Sequence, residues 1–199
     1  MTGNPLPPRT DRLLNQEKFR NAARAAGLER VVFLAGPFIE TAKAPRKNAK
    51  NVAAVLRYKL YHALEAEGWI VTLGEYEKLI EAVDPLLGDH NNAALAEISH
   101  ARSGETDAII MLPSSPGSFL ELGAFSHMED ICGKMLVIVD KQYQEHKNYM
   151  NSGPVKAARD NRADVRFMDY TDFNACWEAV EQFVTGRARK RAARGIVSP

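Results

Sequence analysis

An apolar run, Ala108-Ile109-Ile110-Met111-Leu112, breaks at Pro113-Ser114-Ser115-Pro116-Gly117-Ser118 and passes into a helical pattern over residues 119–128. A buried-type strand that turns through Pro, Ser and Gly into a helix is the βα corner of an open α/β sheet, where such sheets place their ligands. The helix start offers unpaired N–H groups and a positive dipole, suited to a phosphate or a reactive carboxylate. Glu121 falls in the first turn on this reading and is the candidate working residue, held ionised by that dipole. The same residues also have a purely structural reading, because Ser118-x-x-Glu121 matches a capping box.

Four more short runs rich in β-branched residues have the same character: 31–35, 69–73, 135–139 and 165–168. Between them lie helical patterns. Val52, Val55, Leu56, Leu60, Ala63 and Leu64 form one stripe, ended by Gly68. Phe173, Trp177, Val180 and Val184 form another, and residues 92–101 give a helix with Leu95 and Ile98 directed inward. Residues 77–90 read as a weaker helix and loop, and Gly133 closes the focal helix. Continuously apolar strands alternating with helices predict an α/β protein: a doubly wound, five-stranded parallel sheet of flavodoxin or Rossmann type. The expected strand order is 2-1-3-4-5, with its switch point between strands one and three. The chain then divides into an arm and short helix over 1–28, the α/β domain over 29–186, and a basic tail over 187–199, read as solvated and frayed.

Composition narrows the function. With 199 residues, 45% apolar and 26% charged residues and a net charge of +1, the chain has no global pull towards nucleic acid or membrane. No leader and no run of membrane-spanning length is visible, so a cytoplasmic protein is expected. Cys132 and Cys176 lack metal or disulfide spacing and read as core thiols. The five histidines show no HExxH or paired spacing, and each reads as a surface or interface residue; no metal site is expected. GxGxxG, GxxxxGK[ST] and GxSxG are all absent.

The carboxyl ends of the predicted strands carry Gly36, Pro37 and Phe38, then Glu75 and Tyr76, then Ser115, Gly117, Ser118 and Glu121, and finally Asp140. Asp107 enters its strand at the opposite end and stays outside the site. Small residues, backbone donors, aromatics and a few carboxylates suit glycosyl chemistry at a ribose. There a carboxylate attacks or stabilises an oxocarbenium-like C1′ while a second group assists the leaving base.

Phe33-Leu34-Ala35-Gly36-Pro37-Phe38, Leu56-Arg57-x-x-Leu60, Gly74-Glu75 and Gly117-Ser118-x-x-Glu121-x-Gly123, in that order, resemble the nucleoside 2-deoxyribosyltransferase-like superfamily over roughly residues 31–140. The corner together with Asn151-Ser152-Gly153-Pro154-Val155-Lys156 looks most like the N-glycosidase effectors of bacterial anti-phage, retron-type systems. The resemblance implies that Glu121 is the nucleophile in cleavage or exchange of an N-glycosidic bond. Deoxyribosyltransferases usually carry an aspartate where this chain has Ser115, and commonly a tyrosine where it has Phe33. The implied substrate is therefore a nucleotide or NAD, anchored by its phosphates.

The expectation is an N-glycosidase in which Ser115, Gly117 and Ser118 hold sugar or phosphate. Gly36, Pro37, Phe38 and Tyr76 line the other wall, and Glu75 acts as acid/base or ribose acceptor. No cofactor is expected, and NAD, if bound, is consumed. A homo-oligomer and a regulatory protein or nucleic-acid partner follow from the resemblance. A non-catalytic nucleotide sensor of the same fold, or a structural subunit with a vestigial site, are the alternatives.

Overall fold

The computed structural model describes residues 30–46, 49–75 and 92–197. The expected N-terminal arm and helix, the 77–90 segment and Tyr76 lie outside the described residues. Strands β1 (Val31–Ala35), β2 (Ile70–Thr72), β3 (Thr106–Met111), β4 (Met135–Asp140) and β5 (Asp164–Met168) form one parallel sheet in the order β2-β1-β3-β4-β5. That is the predicted doubly wound topology.

Alternation along each strand divides the core in two. Val32, Leu34, Val71, Ile110, Leu136 and Ile138 face α1 (Val52–Ala66) and α6 (Phe173–Val197), where Leu56, Leu60, Leu64, Val180 and Val184 complete the packing. Phe33, Ala35, Ile109, Met111, Val137 and Val139 face the opposite layer. That layer consists of α2 (Ala93–Arg102), α3 (Pro116–Phe125), α4 (Glu129–Cys132) and α5 (Lys156–Asp160). Both faces are covered, which is why the strands read as continuous apolar runs rather than alternating ones. Cys132 and Cys176 are buried thiols.

Several local readings change. The focal helix begins at Pro116, which needs no N–H partner at the first helical position, and ends at Phe125. Gly133 caps the separate α4. The reciprocal cap is formed by Ser115 and Ser118, so Glu121 lies beyond the first turn. Leu95 is half exposed, and α2 turns Ala96 and Ala101 into the core instead. His100 is not a surface residue: it packs edge-on against Phe33, and its Nε2 lies 2.7 Å from Thr72 Oγ1. A π-turn over Asn151–Val155 holds Pro154 ahead of α5.

Residues 187–197 of the basic tail form the last turns of α6. Arg187 donates to the carbonyls of Asp107 (3.3 Å) and Gly133 (2.8 Å), and Arg191 pairs with Asp107 Oδ1 at 2.8 Å. Asp107 sits where the β1–β3 register shifts, and its Oδ2 accepts the Val31 N–H at 2.9 Å in place of a ladder carbonyl. This confirms it as a strand-start residue, away from the site. Asp107→Ala strands a buried N–H and should cost about 2 kcal/mol in urea unfolding, with Asp107→Asn costing less. An alanine cost below about 0.5 kcal/mol would contradict this role.

Candidate active site at the carboxyl ends of the strands

The exits of β1, β2 and β3 are gathered around one side chain. Gly36 has φ +154°, and a Cβ there would lie 3.1 Å from Leu112 Cβ and 3.2 Å from Arg57 Cδ. Glycine therefore lets the chain leave β1 between β3 and the Arg57 guanidinium. Arg57 projects from α1 and is 1% exposed. It donates through Nε (3.2 Å) and Nη2 (2.5 Å) to Leu34 O, and through Nη1 to Pro37 O at 2.8 Å. Its fork also grips Glu75, Nη1 to Oε1 at 2.6 Å and Nη2 to Oε2 at 2.8 Å. Glu75 Oε1 additionally accepts the Ile39 N–H at 3.2 Å. A bidentate ion pair, buried on the Arg57 side and part-buried at Glu75, thus ties the loop after β1 to the loop after β2.

After β3 the turn is held by its own hydroxyls. Ser118 Oγ accepts the N–H groups of Ser114 and Ser115, each at 2.9 Å, and Ser115 Oγ accepts the Ser118 N–H at 3.3 Å. Ser118 is buried, so its hydroxyl shapes the turn from inside. Gly117 borders open space, with nothing within 4 Å of a Cβ placed there.

Glu121 points from the second turn of α3 towards Gly74. A Cβ on Gly74 would collide with Glu97 Oε1 and stand 3.8 Å from Glu121 Oε1. The missing side chain makes room for two carboxylates. Glu121 Oε2 is buried and has no hydrogen-bond partner among the described residues. Burial drives the Glu121 carboxyl up to about 7; the Arg57 charge opposes that rise and Glu75 adds to it. The helix dipole therefore does not hold the Glu121 carboxyl down. Its influence fades beyond the first turn, and desolvation wins. Glu97 is likewise raised to about 7, by burial first and then by the charges of Glu121 and Glu75, with Arg57 opposing.

The structure therefore brings Glu121 and Glu75 together and adds Arg57 and Glu97, which sequence reasoning did not place in the site. Arg57 was visible only as part of the Leu56-Arg57 motif. Glu97 had one usable signal: it is the only carboxylate in the ten-residue helix AALAEISHAR, four residues before the buried Ala101. Phe38 stands apart, 70% exposed, on a groove of about 250 Å³ with Ile39, Lys43, Arg46 and Tyr58. Asp140 caps the turn after β4 by accepting Gln142 N–H at 3.1 Å. Among the described residues no three His, Cys, Asp or Glu side chains are placed to hold a metal ion. Gly74→Ala should change the unfolding free energy by less than about 1 kcal/mol, because the clash is with a flexible side-chain tip. A crystal structure of the variant should show the Glu97 carboxylate displaced; finding it unmoved would contradict the close approach.

Fold and site together define a doubly wound α/β protein with a cluster of carboxylates at its switch point, the usual position for a small-molecule site in this architecture. The chain belongs to the STM3845 retron effector protein family, whose sequence model matches residues 55–194. That match takes in Arg57, Glu75, Glu97 and Glu121. Two Escherichia coli proteins are similar over shorter stretches. The "Retron Ec86 putative ribosyltransferase/DNA-binding protein" is 37% identical over 76 residues, 38% of this chain and 25% of that protein. The "Retron Ec73 putative ribosyltransferase/DNA-binding protein" is 33% identical over 63 residues, 32% of this chain and 20% of that protein. The alignments thus span a quarter or less of these relatives' own length. Among the described residues no helix is long and apolar enough to cross a membrane.

Proposed function

We propose that this retron effector is an N-glycosidase of the nucleoside 2-deoxyribosyltransferase-like superfamily, cleaving the base–ribose bond of a nucleotide, nucleoside or NAD in anti-phage defence. The observation that carries the reading is Glu121: a carboxylate whose buried Oε2 has no hydrogen-bond partner among the described residues, on the helix after β3, at the switch point of the sheet. The ribosyltransferase names of the two Escherichia coli relatives support it.

In this reading the Glu121 carboxylate attacks C1′, and the electron pair of the C1′–N bond leaves with the base. Water then releases the sugar for hydrolysis, or a second base accepts it for transfer. Ser115 and the open first turn at Gly117 take the sugar or phosphate, while Ser118 keeps that turn in shape. Gly36 and Pro37 wall the site. Glu75, with both oxygens on Arg57, positions the wall or accepts a ribose hydroxyl rather than shuttling a proton. The protein works in the cytoplasm as a homo-oligomer, under the control of a protein or nucleic-acid partner. No separate cofactor is required, and NAD enters only as a substrate.

The test is chromatographic. Wild type and Glu121→Gln are incubated with NAD and a panel of nucleosides and nucleotides, and free base is quantified. Release by wild type alone supports the glycosidase reading and names the substrate. Saturable nucleotide binding by both proteins, without release, overturns it in favour of a nucleotide sensor.

A further inference from the structure

The loop after β1 presents an aromatic ring on a groove of its own. Phe38 is 70% exposed, yet its backbone is fixed on both sides. Pro37 O accepts Arg57 Nη1 at 2.8 Å, and the Ile39 N–H donates to Glu75 Oε1 at 3.2 Å. The Phe38 ring borders a space of about 250 Å³ that Ile39, Tyr58, Lys43 and Arg46 also line. Tyr58 is held in place by His62, whose ring meets it at 4.5 Å and whose Nε2 lies 3.0 Å from Thr41 O in the same loop. One acid, Glu40, stands against the two cations, and it pairs with Lys43 at 3.8 Å with both side chains largely exposed. Water weakens such a pair, so an incoming anion can displace it. The Arg46 side chain has no hydrogen-bond or ionic partner among the described residues. Flat rings beside exposed cations are the means by which proteins stack an aromatic base and hold its phosphates.

We propose that this groove is a second nucleotide site, taking the far nucleoside phosphate of a dinucleotide whose reacting ribose lies at Glu121. The far base stacks on Phe38 beside Tyr58, and the phosphates sit on Lys43 and Arg46. The groove is small for a whole ligand, and suits one end of a longer molecule. Its inner wall is Ile39, whose N–H is bonded to Glu75, so the groove and the carboxylate cluster adjoin across the Arg57–Glu75 pair. A phosphate linkage crossing that wall keeps its charge on the cationic side and away from the carboxylates gathered at Gly74. The groove stands on its own geometry, while its joining to a reacting ribose rests on the glycosidase reading. Among the substrates of that reading it selects a dinucleotide over a free nucleoside.

The experiment maps ADP onto the full ¹⁵N-labelled chain by NMR, in a Glu121→Gln background so that the probe is not consumed. ADP should shift the amides of Ile39, Lys43 and Tyr58, and adenosine, which lacks the phosphates, should bind at least about tenfold more weakly. Phe38→Ala should weaken ADP about tenfold. Lys43→Gln with Arg46→Gln should weaken it by a similar factor and flatten its salt dependence. These side chains are exposed, so the variants keep their fold. Shifts confined to Gly117 and its neighbours, or unchanged ADP affinity in both variants, would overturn the site. A single-stranded oligodeoxynucleotide bound through the same residues a hundredfold more tightly than ADP would overturn it in favour of a nucleic-acid strand. The kinetic arm uses the native Glu121 chain and the substrates found to release base. The Lys43 and Arg46 double variant should raise KM for a dinucleotide about tenfold at unchanged kcat, and leave a free nucleoside unaffected. Equal effects on both substrates would overturn the joining of groove and ribose. ADP mapped to the groove, with no base release from any substrate, would support the nucleotide site and overturn the glycosidase reading alone.

Discussion

Glu121→Gln is expected to lose at least about a thousandfold of base release and, at pH 8, to unfold less readily than wild type. The first effect arises because, in the proposed mechanism, Glu121 is the covalent nucleophile, and glutamine keeps its shape without its charge. The second follows from the raised carboxyl. An exposed glutamate in the unfolded chain ionises at its model value of 4.5, whereas the folded protein holds this proton to about 7. Between those values the folded state binds more protons than the unfolded one, so stability falls as pH rises. The stabilisation is fully present below about 4.5 and gone above about 7. Glutamine removes that loss and also relieves Glu97 of a neighbouring charge. After discounting for partial exposure the gain is about 2 kcal/mol at pH 8 and near zero at pH 4. Urea unfolding at the two pH values checks it. A variant less stable than wild type at pH 8 would contradict the burial of an uncompensated carboxyl. The proposed function and stability are opposed at this residue, as expected for a site that keeps a charge where packing would exclude one.

Arg57→Met should destabilise the fold by about 3–5 kcal/mol. Methionine fills much of the same space, so the effect is electrostatic rather than a cavity. Five hydrogen bonds vanish, and the Leu34 and Pro37 carbonyls and the Glu75 carboxylate lose their buried donor. Glu75→Gln leaves Arg57 its carbonyl partners and should cost less. Arg57→Met with Glu75→Leu should recover part of the loss, because no lone charge is left behind. Chemical denaturation of the three variants decides the matter. A single Arg57→Met cost under about 1 kcal/mol would mean that the loops after β1 and β2 hold themselves without the guanidinium.

Local patterns in the chain were enough for the architecture. Strands buried on both faces must be continuously apolar, so residues 31–35, 108–112 and 135–139 disclosed the sheet and its parallel sense, and the corner at Pro113–Gly123 disclosed its switch point. The α1 stripe and the Val180–Val184 face of α6 were equally plain, because a helix against a sheet repeats its apolar side every turn. Glu121 was visible as a candidate because its corner is a local motif.

What surrounds Glu121 was not local. Ser115 rather than Ser118 caps α3, because two backbone N–H groups fold back onto the Ser118 hydroxyl, and a shift of three residues carries Glu121 out of reach of the helix dipole. Its proton affinity is then decided by burial, a property of the assembled layers. Glu97 lies on a helix with almost no apolar periodicity, and only its approach to Gly74, 23 residues earlier, gives it a role. The basic end of α6 read as solvated until β3 supplied Asp107 for Arg187 and Arg191. Periodicity and turn chemistry act over a few residues and can be read along the chain. Desolvation, charge pairing and the filling of a glycine's empty side act through space, between segments that only folding makes neighbours.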